Sequence, residues 1–451
     1  MSLPMNLIRV PVRFVGVLFG GVADLFRLLR LVASALSGDR SNIKAQITEK
    51  LSSTEGQRLV FGVLRVFWAN LVIGRSLVKA YENKGSVIVT RSVDVKEVLD
   101  REQDFAVVYG PRMCRLTDGD NFFLGMQDSP EYQHDVSVMR LAARWEDVET
   151  VVVPCIAEDA AAIVGGSGGR IDVPAQLTLP VIARMVGRYF GTPGPTEEDM
   201  IQWTSLMFWY LFIDLGADPE VDRKAMAAAN ACRDYLDQAI AARKANPTDD
   251  DDVLNRCLDL QRAGTLGFDD LAIRNNLIGL IIGAIPTISR ASVQALDQLL
   301  DRPDELARVR QAAQADDLTT VGQYCFEALR FNPINPVIYR RAVRDCTIAS
   351  GTLRARRIPK DSMVFAASLS AMFDGWDVDT PGDFRIDRPW DHYMLWGYGL
   401  HTCFGQHINR VAIPAVLRPL LAASGLRPAV GAEGAIDTAG TPFPVHLWVE
   451  F

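Results

Sequence analysis

The sequence lacks the marks of several large classes of protein. Its seven cysteines are an odd number, lie far apart and include no CxxC pair, so we expect neither a disulfide framework nor a zinc knuckle, and we expect a reducing compartment. Its net charge of −8 leaves no general attraction to nucleic acid. No glycine-rich phosphate loop follows a predicted strand, so nothing indicates dinucleotide binding. A globular protein that does not bind nucleic acid is the starting hypothesis.

A membrane-spanning run is also missing near the N-terminus. The apolar run FVGVLFGGVA (14–23) has ten residues, whereas a helix that spans a bilayer needs roughly 20. Apolar residues nevertheless recur at helical spacing from Phe14 to Val32, which predicts an amphipathic helix. Such a helix would lie on a membrane surface, dock on a partner or pack on its own protein, and the sequence leaves these alternatives open. We assign residues 1–45 to an N-terminal extension that contains it.

What the sequence does contain is mostly helical pattern. Apolar residues follow helical spacing over 198–243 and 268–300, and between them the segment KANPTDDDD (244–252) predicts a solvated loop. Short alternating or β-branched runs predict a few strands, and a helix follows the first of them. We expect strands at 86–90, 337–343, 363–368 and 444–451, and the helix at 94–102. The prediction is a mainly α protein with minor, dispersed β structure.

The segment 275–296 stands out within the helical part. It is apolar on nearly every side up to Thr287, which predicts a central, largely buried helix. Pro286 lies inside it, and a proline there lacks an N–H and presses its ring toward the carbonyl of Ile282. Two interpretations stay open: a tolerated kink, or a groove that opens at a functional site.

A second segment, WGYGLHTCFG (396–405), surrounds Cys403 with glycines and aromatic residues. A thiolate that binds iron must be shielded from water and supported by hydrogen bonds to its sulfur. Glycines allow backbone N–H groups to approach that sulfur, and they allow the loop to lie flat against a planar cofactor. Taken alone, the segment is also compatible with a packing cysteine, because such spacing arises by chance in loops.

Two further charged motifs precede this segment. Glu327 and Arg330, in the motif EALR, lie three residues apart on one predicted helix face, where they can pair. Because the residues around them are large and apolar, we expect the pair to be buried, and a buried pair needs further hydrogen-bonding partners. Arg388, at the end of an irregular stretch (371–389), is the candidate for a third charge.

In this order, the three motifs resemble those of the cytochrome P-450 family of heme-thiolate enzymes. EALR matches the family's ExxR helix, Arg388 matches its meander arginine, and 396–405 matches its FxxGxxxCxG heme-binding motif, with Trp396 in place of the usual phenylalanine. The match is strong over 275–412 and weaker over 86–140. The resemblance implies the family's fold, a triangular prism of helices with small β-sheets and a buried heme.

Within one heme domain (46–451), the resemblance implies roles for individual residues. Cys403 is expected to be the axial thiolate of heme b, iron protoporphyrin IX. Glu327, Arg330 and Arg388 are expected to hold the structure without taking part in the chemistry. The other residues expected to contact the heme are His401 and Arg341 at its propionates, with Arg340 as a competing arginine, and Trp396, Gly397, Phe404 and Gly405 in the cysteine segment.

The family's motif near residue 130 is altered. Family members commonly have Asp-x-Pro-x-His-x-x-x-Arg there, whereas this sequence places Tyr132 and Val136 where the histidine and the arginine are expected. His134 and Arg140 would replace them after a shift in helix phase. We therefore expect these two residues as further propionate contacts.

The central helix departs from the family more strongly. The family usually has Ala/Gly-Gly-x-Asp/Glu-Thr, whose acid and threonine help to deliver protons to bound dioxygen. Here the matching residues, which include the predicted catalytic positions, are Gly283, Ala284, Ile285, Pro286 and Thr287. Proline has no proton to donate. One interpretation is a monooxygenase that uses O2, with Thr287, water or a substrate group carrying protons. The other is a peroxide-dependent peroxygenase or a fatty-acid hydroperoxide isomerase.

Partners and rival functions follow from the same resemblance. The apolar central helix indicates a hydrophobic substrate such as a fatty acid, a terpenoid or an aromatic compound. No reductase, flavin or ferredoxin segment is present, so we expect a separate ferredoxin and reductase to supply electrons. We expect a cytoplasmic protein, with peripheral membrane contact through the N-terminal helix as an alternative. A heme-based ligand sensor and a lipid-binding or interaction protein are the non-enzymatic hypotheses.

Overall fold

Helices dominate the part of the chain that the structure, a computed structural model, describes, which is residues 6–36 and 43–451. The α-helices are, in chain order, α1 (Asn6–Leu36), α2 (Ile43–Ser52), α3 (Thr54–Phe67), α4 (Ser92–Asp100), α5 (Gly110–Thr117), α6 (Pro130–Ala142), α7 (Val153–Gly166), α8 (Leu179–Phe190), α9 (Glu197–Phe208), α10 (Pro219–Ala245), α11 (Val253–Arg262), α12 (Asp270–Leu300), α13 (Pro303–Gln314), α14 (Leu318–Phe331), α15 (Ser368–Ala371) and α16 (Gln406–Ala422). The strands are β1 (Asn70–Ile73), β2 (Gly85–Val89), β3 (Phe105–Val107), β4 (Arg170–Asp172), β5 (Ile338–Ala342), β6 (Cys346–Ile348), β7 (Arg356–Ile358), β8 (Ser362–Ala366), β9 (Arg427–Pro428) and β10 (Trp448–Glu450). The mainly α prediction is confirmed.

By their contacts, these elements form two units. The first unit consists of the described residues up to Val78, Glu82–Ala106 and Arg330–Thr402, and the second consists of Lys79–Tyr81, Val107–Leu329 and Cys403–Phe451. The single heme domain over 46–451 stays a prediction.

The first unit contains a five-stranded sheet in the order β1-β2-β8-β5-β3. β2 and β8 are parallel, with Val87 opposite Val364, whereas β1 pairs with β2 and β5 with β8 in antiparallel fashion. Val87, Val89 and Val364 are fully buried, as is typical of central strands that are covered on both faces. The β-branched runs that predict these strands therefore fill a core.

Helix α1 packs along α3 within the first unit. The approach is close, because a side chain at Gly62 of α3 would collide with the carboxylate of Asp24 on α1. The opposite face of α1 leaves large apolar side chains exposed, among them Phe19, Phe26 and Leu29. The predicted helix is confirmed, and one of its faces packs on its own protein.

The second unit surrounds the long helix α12, which contacts α8, α9, α10 and α16. Within residues 6–36 and 43–451, α12 is the one helix that by length and composition alone could cross a membrane, and 61% of that apolar stretch is buried inside the protein. The helix continues through Pro286 without a break, although Pro286 offers no N–H to the carbonyl of Ile282. The prediction of a central, largely buried helix is confirmed.

The C-terminal strand is shorter than predicted. Of residues 444–451, only Trp448–Glu450 form a strand, β10, which pairs with β4 and β9. Pro444 has no N–H to donate to a neighbouring strand, and the N–H of Leu447 donates to the Asp172 carboxylate at 3.0 Å instead of to a strand carbonyl. The predicted loop at 244–252 does connect α10 to α11, and its last residue, Asp252, caps α11 by accepting the backbone N–H of Asn255 at 2.8 Å.

Candidate active site

Cys403 lies shortly before helix α16, in the second unit. Gly405 is the N-cap of that helix. Burial raises the pKa of the Cys403 thiol, while a hydrogen bond from the Gly405 backbone and the charge of Arg140 act to lower it. For Cys325, burial is the only influence and raises the pKa to about 12. Cys403 thus has support for a negatively charged sulfur that Cys325 lacks.

Arg140 closes one side of the cysteine segment. Its guanidinium lies over the Phe404 ring, 3.6 Å from the centroid, and donates to the Phe404 carbonyl at 3.0 Å. It also lies 3.2 Å from the ring nitrogens of His407, which stacks on Trp145. Burial and the Arg140 charge lower the pKa of His407 to about 4, so the imidazole is neutral near pH 7. These contacts fix α6 to the start of α16.

His134, the other residue predicted on α6, is half-exposed, and its ring lies 3.3 Å from the carboxylate of Asp135. The structure therefore places Arg140 against the cysteine segment and His134 beside a carboxylate of its own helix. The propionate roles of both residues stay predictions.

The middle of α12 presents an open stretch of backbone. Gly283 is exposed between buried neighbours, and a Cβ placed on it would meet nothing within 4 Å. The hydroxyl of Thr287, one turn later, donates to the Gly283 carbonyl. Ala284 and Pro286 are buried. Thr287 and Pro286, four and three residues after Gly283, are both its neighbours on the helix surface, whereas Pro286 and Thr287 themselves do not face each other.

Pro286 lines a cavity of about 780 Å³ that lies wholly within the second unit. Its walls come mainly from α9, α10, α12 and the segment 441–446, and they are largely apolar, with Trp203, Trp209 and Phe443 among them. A cavity of this size accommodates a small organic molecule. Helix α12 continues through Pro286 and borders this space, and both interpretations of Pro286, a kink and a groove, stay predictions.

In the first unit, two predicted structural arginines hold one irregular segment. Arg330 is fully buried and donates to three backbone carbonyls between residues 372 and 383, at 2.9 to 3.2 Å. Arg388 donates to backbone carbonyls of residues 379–383 at 2.7 to 2.9 Å, and both arginines bind the carbonyl of Asp383. A guanidinium can bind several backbone carbonyls at once, because its N–H donors are held in a fixed planar arrangement. Glu327, in the second unit, is also fully buried.

The glycine-rich segment before the cysteine belongs to the first unit. Gly397 and Gly399 have φ angles of 85° and 72°, and a side chain at Gly399 would collide with the backbone of Leu99. The His401 side chain is buried, with its Nε2 3.3 Å from a carboxylate oxygen of Glu102. The glycines are therefore required by the path of the chain, and the histidine ring is held in place.

The remaining predicted heme contacts also lie in the first unit. Trp396 stacks on Trp390 with 5.3 Å between ring centroids. Arg340 is buried and donates to the Tyr339 carbonyl at 3.1 Å, whereas Arg341 is half-buried. Successive residues of a strand point to opposite faces of the sheet, so Arg340 and Arg341 of β5 cannot serve the same side.

The sequence motifs do not identify His407 or Arg290 as site residues. His407 meets Arg140 across 267 positions of the chain, and only the fold creates that contact. Arg290 does carry a signal, since it is the one charged residue in the stretch TISRASVQAL (287–296). It lines the cavity beside Pro286.

Comparisons with known proteins agree with this geometry. The sequence model of the cytochrome P450 family matches residues 196–423, just over half of the chain. The chain is 25% identical to a mycinamicin VIII C21 methyl hydroxylase from Micromonospora griseorubida, over 76% of its own length and 84% of that protein. It is 25% identical to a vitamin D3 dihydroxylase from Streptomyces griseolus, over 81% of its length and 87% of that protein. Its fold is similar to the crystal structure of CalO2, with a TM-score of 0.72 and 23% identity, over 88% of this chain and 96% of that one.

The chain belongs to the cytochrome P450 family. It is a heme-dependent monooxygenase, as the resemblance predicts, and its relatives include hydroxylases and a steroid monooxygenase. The predicted fold, mainly α with small sheets, is confirmed by the solved structures. These relatives give no support to the peroxide-dependent or the sensor alternative.

The residues of the second unit fit a heme that is held by a thiolate. Cys403 is half-buried at the start of α16, and the Gly405 backbone and the Arg140 charge both act to lower the pKa of its thiol, which is the support that an iron-bound sulfur requires. On α12, the open space at Gly283 allows a ligand to approach the helix backbone closely.

Proposed function

We propose that Cys403 is the thiolate ligand of the heme iron. The observation that carries this proposal is the position of Cys403 directly before the N-terminus of α16, with the Arg140 guanidinium packed on the next residue, Phe404. Arg140, which lies on the Phe404 ring, adds a positive charge beside that sulfur. Bound heme supplies the activation of oxygen, which electron donation from a thiolate favours. The task of the chain at this position is to keep the sulfur buried, hydrogen-bonded and negatively charged.

The propionates of the heme are assigned to His401 and Arg341. The ring of His401 is fixed beside Glu102, and Arg341 keeps a partly accessible side chain, whereas Arg340 is buried. Arg140 is a weaker candidate, because its donors already serve Phe404 and His407. Trp396, Gly397, Phe404 and Gly405 are assigned to the packing around the heme, and His134 is retained as a secondary propionate contact.

On α12, proton supply is assigned to Thr287 and to water. Pro286 has no acidic proton, so the carboxylate of the usual acid–threonine pair is absent at this position. The Thr287 hydroxyl donates to the Gly283 carbonyl. The lone pairs of the Thr287 oxygen therefore stay available to accept a hydrogen bond from a proton donor. The cavity beside Pro286 gives water or a polar substrate group a place from which to act.

The substrate is proposed to be a hydrophobic small molecule, and electrons to come from a separate ferredoxin and reductase. The apolar walls of the cavity support such a substrate. Its hydroxylation consumes O2 and two electrons, and one oxygen atom leaves as water.

The exposed face of α1 is proposed to rest on an anionic membrane surface, with the protein otherwise in the cytoplasm. Phe19, Phe26 and Leu29 are exposed on that face, and Arg27 and Arg30 are exposed beside them, a combination that suits interfacial binding. Phe19→Ser with Phe26→Ser should reduce co-sedimentation with phosphatidylglycerol vesicles several-fold. Equal co-sedimentation of the variant would remove this proposal.

The test of the heme-thiolate proposal is the carbon monoxide difference spectrum of the reduced protein. The wild type should show the strongly red-shifted Soret band of a thiolate-bound heme, and Cys403→Ala should abolish it. Cys232→Ala is the matched control, because Cys232 is a buried cysteine of the same unit, and it should keep the band. A red-shifted band that survives in Cys403→Ala would refute the assignment of the iron ligand.

A further inference from the structure

Arg290 is a half-buried cation for which the described residues provide no counter-ion. It lies one turn after Pro286 on α12, and its Nε is buried without a hydrogen-bond partner among the residues that the structure describes. Burial lowers the pKa of Arg290 to about 10, and no neighbouring carboxylate offsets this effect. Leaving a charge buried and unpaired is costly.

Two arginines of the same unit that are more deeply buried than Arg290 are paired. Arg112 lies 3.0 Å from the carboxylate of Asp214, and Arg256 forms ion pairs with Asp147 and Asp251 at 2.5 Å. Arg290 forms no ion pair among the described residues. The Nε of Arg310 also lacks a hydrogen-bond partner, but Arg310 does not line the cavity.

Arg290 lines the cavity described above. The cavity, about 780 Å³, is walled on several sides by large apolar side chains, such as Leu206, Trp209 and Phe443. An apolar cavity with one charged group matches a ligand that is apolar along its length and charged at one end.

The other cations that line the cavity already have partners. Arg223 binds Glu220 through two hydrogen bonds at 2.7 and 2.8 Å, and Lys224 lies 3.4 Å from the same carboxylate. His446 is bound to Asp172 at 2.6 Å. Arg290 is therefore the lining cation left to take a charged ligand.

The acidic and polar lining groups do not compensate Arg290. Glu198 is exposed and forms no ion pair with it, and the Ser289 hydroxyl is engaged with that of Thr178 at 2.7 Å. A single negative charge on the ligand would thus find one unpaired positive charge.

We infer that this cavity binds a hydrophobic monocarboxylic acid, whose carboxylate pairs with the Arg290 guanidinium and whose chain lies along the apolar walls. A carboxylate matches the planar fork of a guanidinium, which can donate two parallel hydrogen bonds to it. The inference deepens the proposed function, on which it rests in taking the ligand to be the substrate. It narrows the expected hydrophobic compounds to those with a carboxylate at one end.

Isothermal titration calorimetry on the heme-loaded protein tests this inference without turnover. The ligands are dodecanoic acid and, as uncharged matches, methyl dodecanoate and dodecan-1-ol. The wild type should bind the acid most tightly, and Arg290→Gln should weaken the acid by about 10- to 100-fold, as expected for a charged hydrogen bond. The same variant should change binding of the ester and the alcohol by less than about threefold.

Arg223→Gln is the matched control, because Arg223 lines the same cavity but is held by Glu220. It should leave binding of all three compounds within about threefold of the wild type. Arg290→Lys keeps the positive charge but loses the two parallel N–H donors of the guanidinium. The affinity of this variant for the acid should therefore lie between those of the wild type and Arg290→Gln.

A thermal melt separates binding from a structural role. Removing an unpaired, half-buried cation should leave the midpoint of the ligand-free protein unchanged or raise it. A lower midpoint in both Arg290→Gln and Arg290→Lys would make Arg290 structural and overturn the inference. Equal affinity for acid and ester in the wild type would overturn it too, as would undiminished acid binding by Arg290→Gln.

The heme-thiolate proposal stands apart from these outcomes. Its own readout, the red-shifted band of the reduced carbon monoxide complex, should be the same in the wild type and in Arg290→Gln. Loss of carboxylate binding with an intact band would therefore concern the ligand alone, and a missing band in the wild type would concern Cys403 alone.

Discussion

The start of α16 and the middle of α12 belong to the same unit, yet they differ in whether their polar groups have partners within the protein. Around Cys403, the polar groups are paired: the sulfur with the Gly405 backbone, and Arg140 with the Phe404 carbonyl and His407. On α12, Gly283 faces open space and Arg290 has no counter-ion within the described residues. The first region is preorganised by the protein itself, whereas the second leaves positions for molecules from outside.

The largest expected effect on stability concerns Arg330 in the first unit, whose donors, like the polar groups around Cys403, are satisfied by the protein itself. Arg330→Gln removes a fully buried guanidinium from three backbone carbonyls. We expect it to lower the free energy of unfolding by about 3 to 5 kcal/mol, measured by urea denaturation. Arg385→Gln is the control, since Arg385 is more exposed and pairs with Asp387 at the surface, and it should leave the free energy of unfolding close to that of the wild type. Equal losses in the two variants would contradict this account of Arg330.

The next effect compares the two regions of the second unit directly. Arg140→Gln breaks the hydrogen bond to the Phe404 carbonyl and the contact with the Phe404 ring. It should lower the free energy of unfolding by about 2 kcal/mol, whereas Arg290→Gln should not lower it at all. If Arg290→Gln proved as destabilising as Arg140→Gln, the contrast between a closed and an open region would fail.

A third prediction concerns α12, where an acidic residue is introduced at position 286. Pro286→Asp restores a side chain that can donate a proton, so O2-dependent turnover should rise by about tenfold. Pro286→Ala restores the backbone N–H without the acid and serves as the control, with turnover close to that of the wild type. The measurement is product formed per NADPH consumed with a ferredoxin and reductase. Equal gains in both variants would mean that the backbone, not the missing acid, limits the rate.

The smallest effect concerns the wall of the cavity. The hydrogen bond to the Asp172 carboxylate raises the pKa of His446 in the folded protein. Because the raised pKa favours the protonated form in the folded state, its stabilisation is full below the unfolded pKa of roughly 6.5 and is lost as pH rises through the folded pKa.

The stability difference between wild type and His446→Gln should therefore be larger at pH 5.5 than at pH 8.5, and below about 1 kcal/mol because the pair is partly exposed. Thermal melts at the two pH values measure it. A difference that grows toward pH 8.5 would contradict the assignment.

Local patterns in the sequence predict the elements that depend on neighbouring residues. The apolar run at 275–296 predicts the buried middle of α12, helical spacing predicts α1, and the glycine pattern around Cys403 indicates the segment that is proposed to bind heme. In each case, the property is carried by residues within about one or two helical turns of each other.

Properties that depend on distant contacts stay hidden in the sequence. The bond between Arg140 and His407 joins residues that are 267 positions apart. Whether Arg290 has a counter-ion depends on all the residues packed near it in the fold, and a local sequence pattern does not specify those residues. The length of β10 likewise depends on which residues meet β4 and β9.

The most direct test of the central claim is the oxidant dependence of turnover. We claim that this protein is an O2-dependent monooxygenase with Cys403 on the iron and with protons supplied by Thr287, water or substrate. Product from a hydrophobic substrate such as dodecanoic acid should form with a ferredoxin, a reductase, NADPH and O2, and it should disappear when O2 is removed. Product that forms with hydrogen peroxide, and not with O2 and electrons, would contradict the claim.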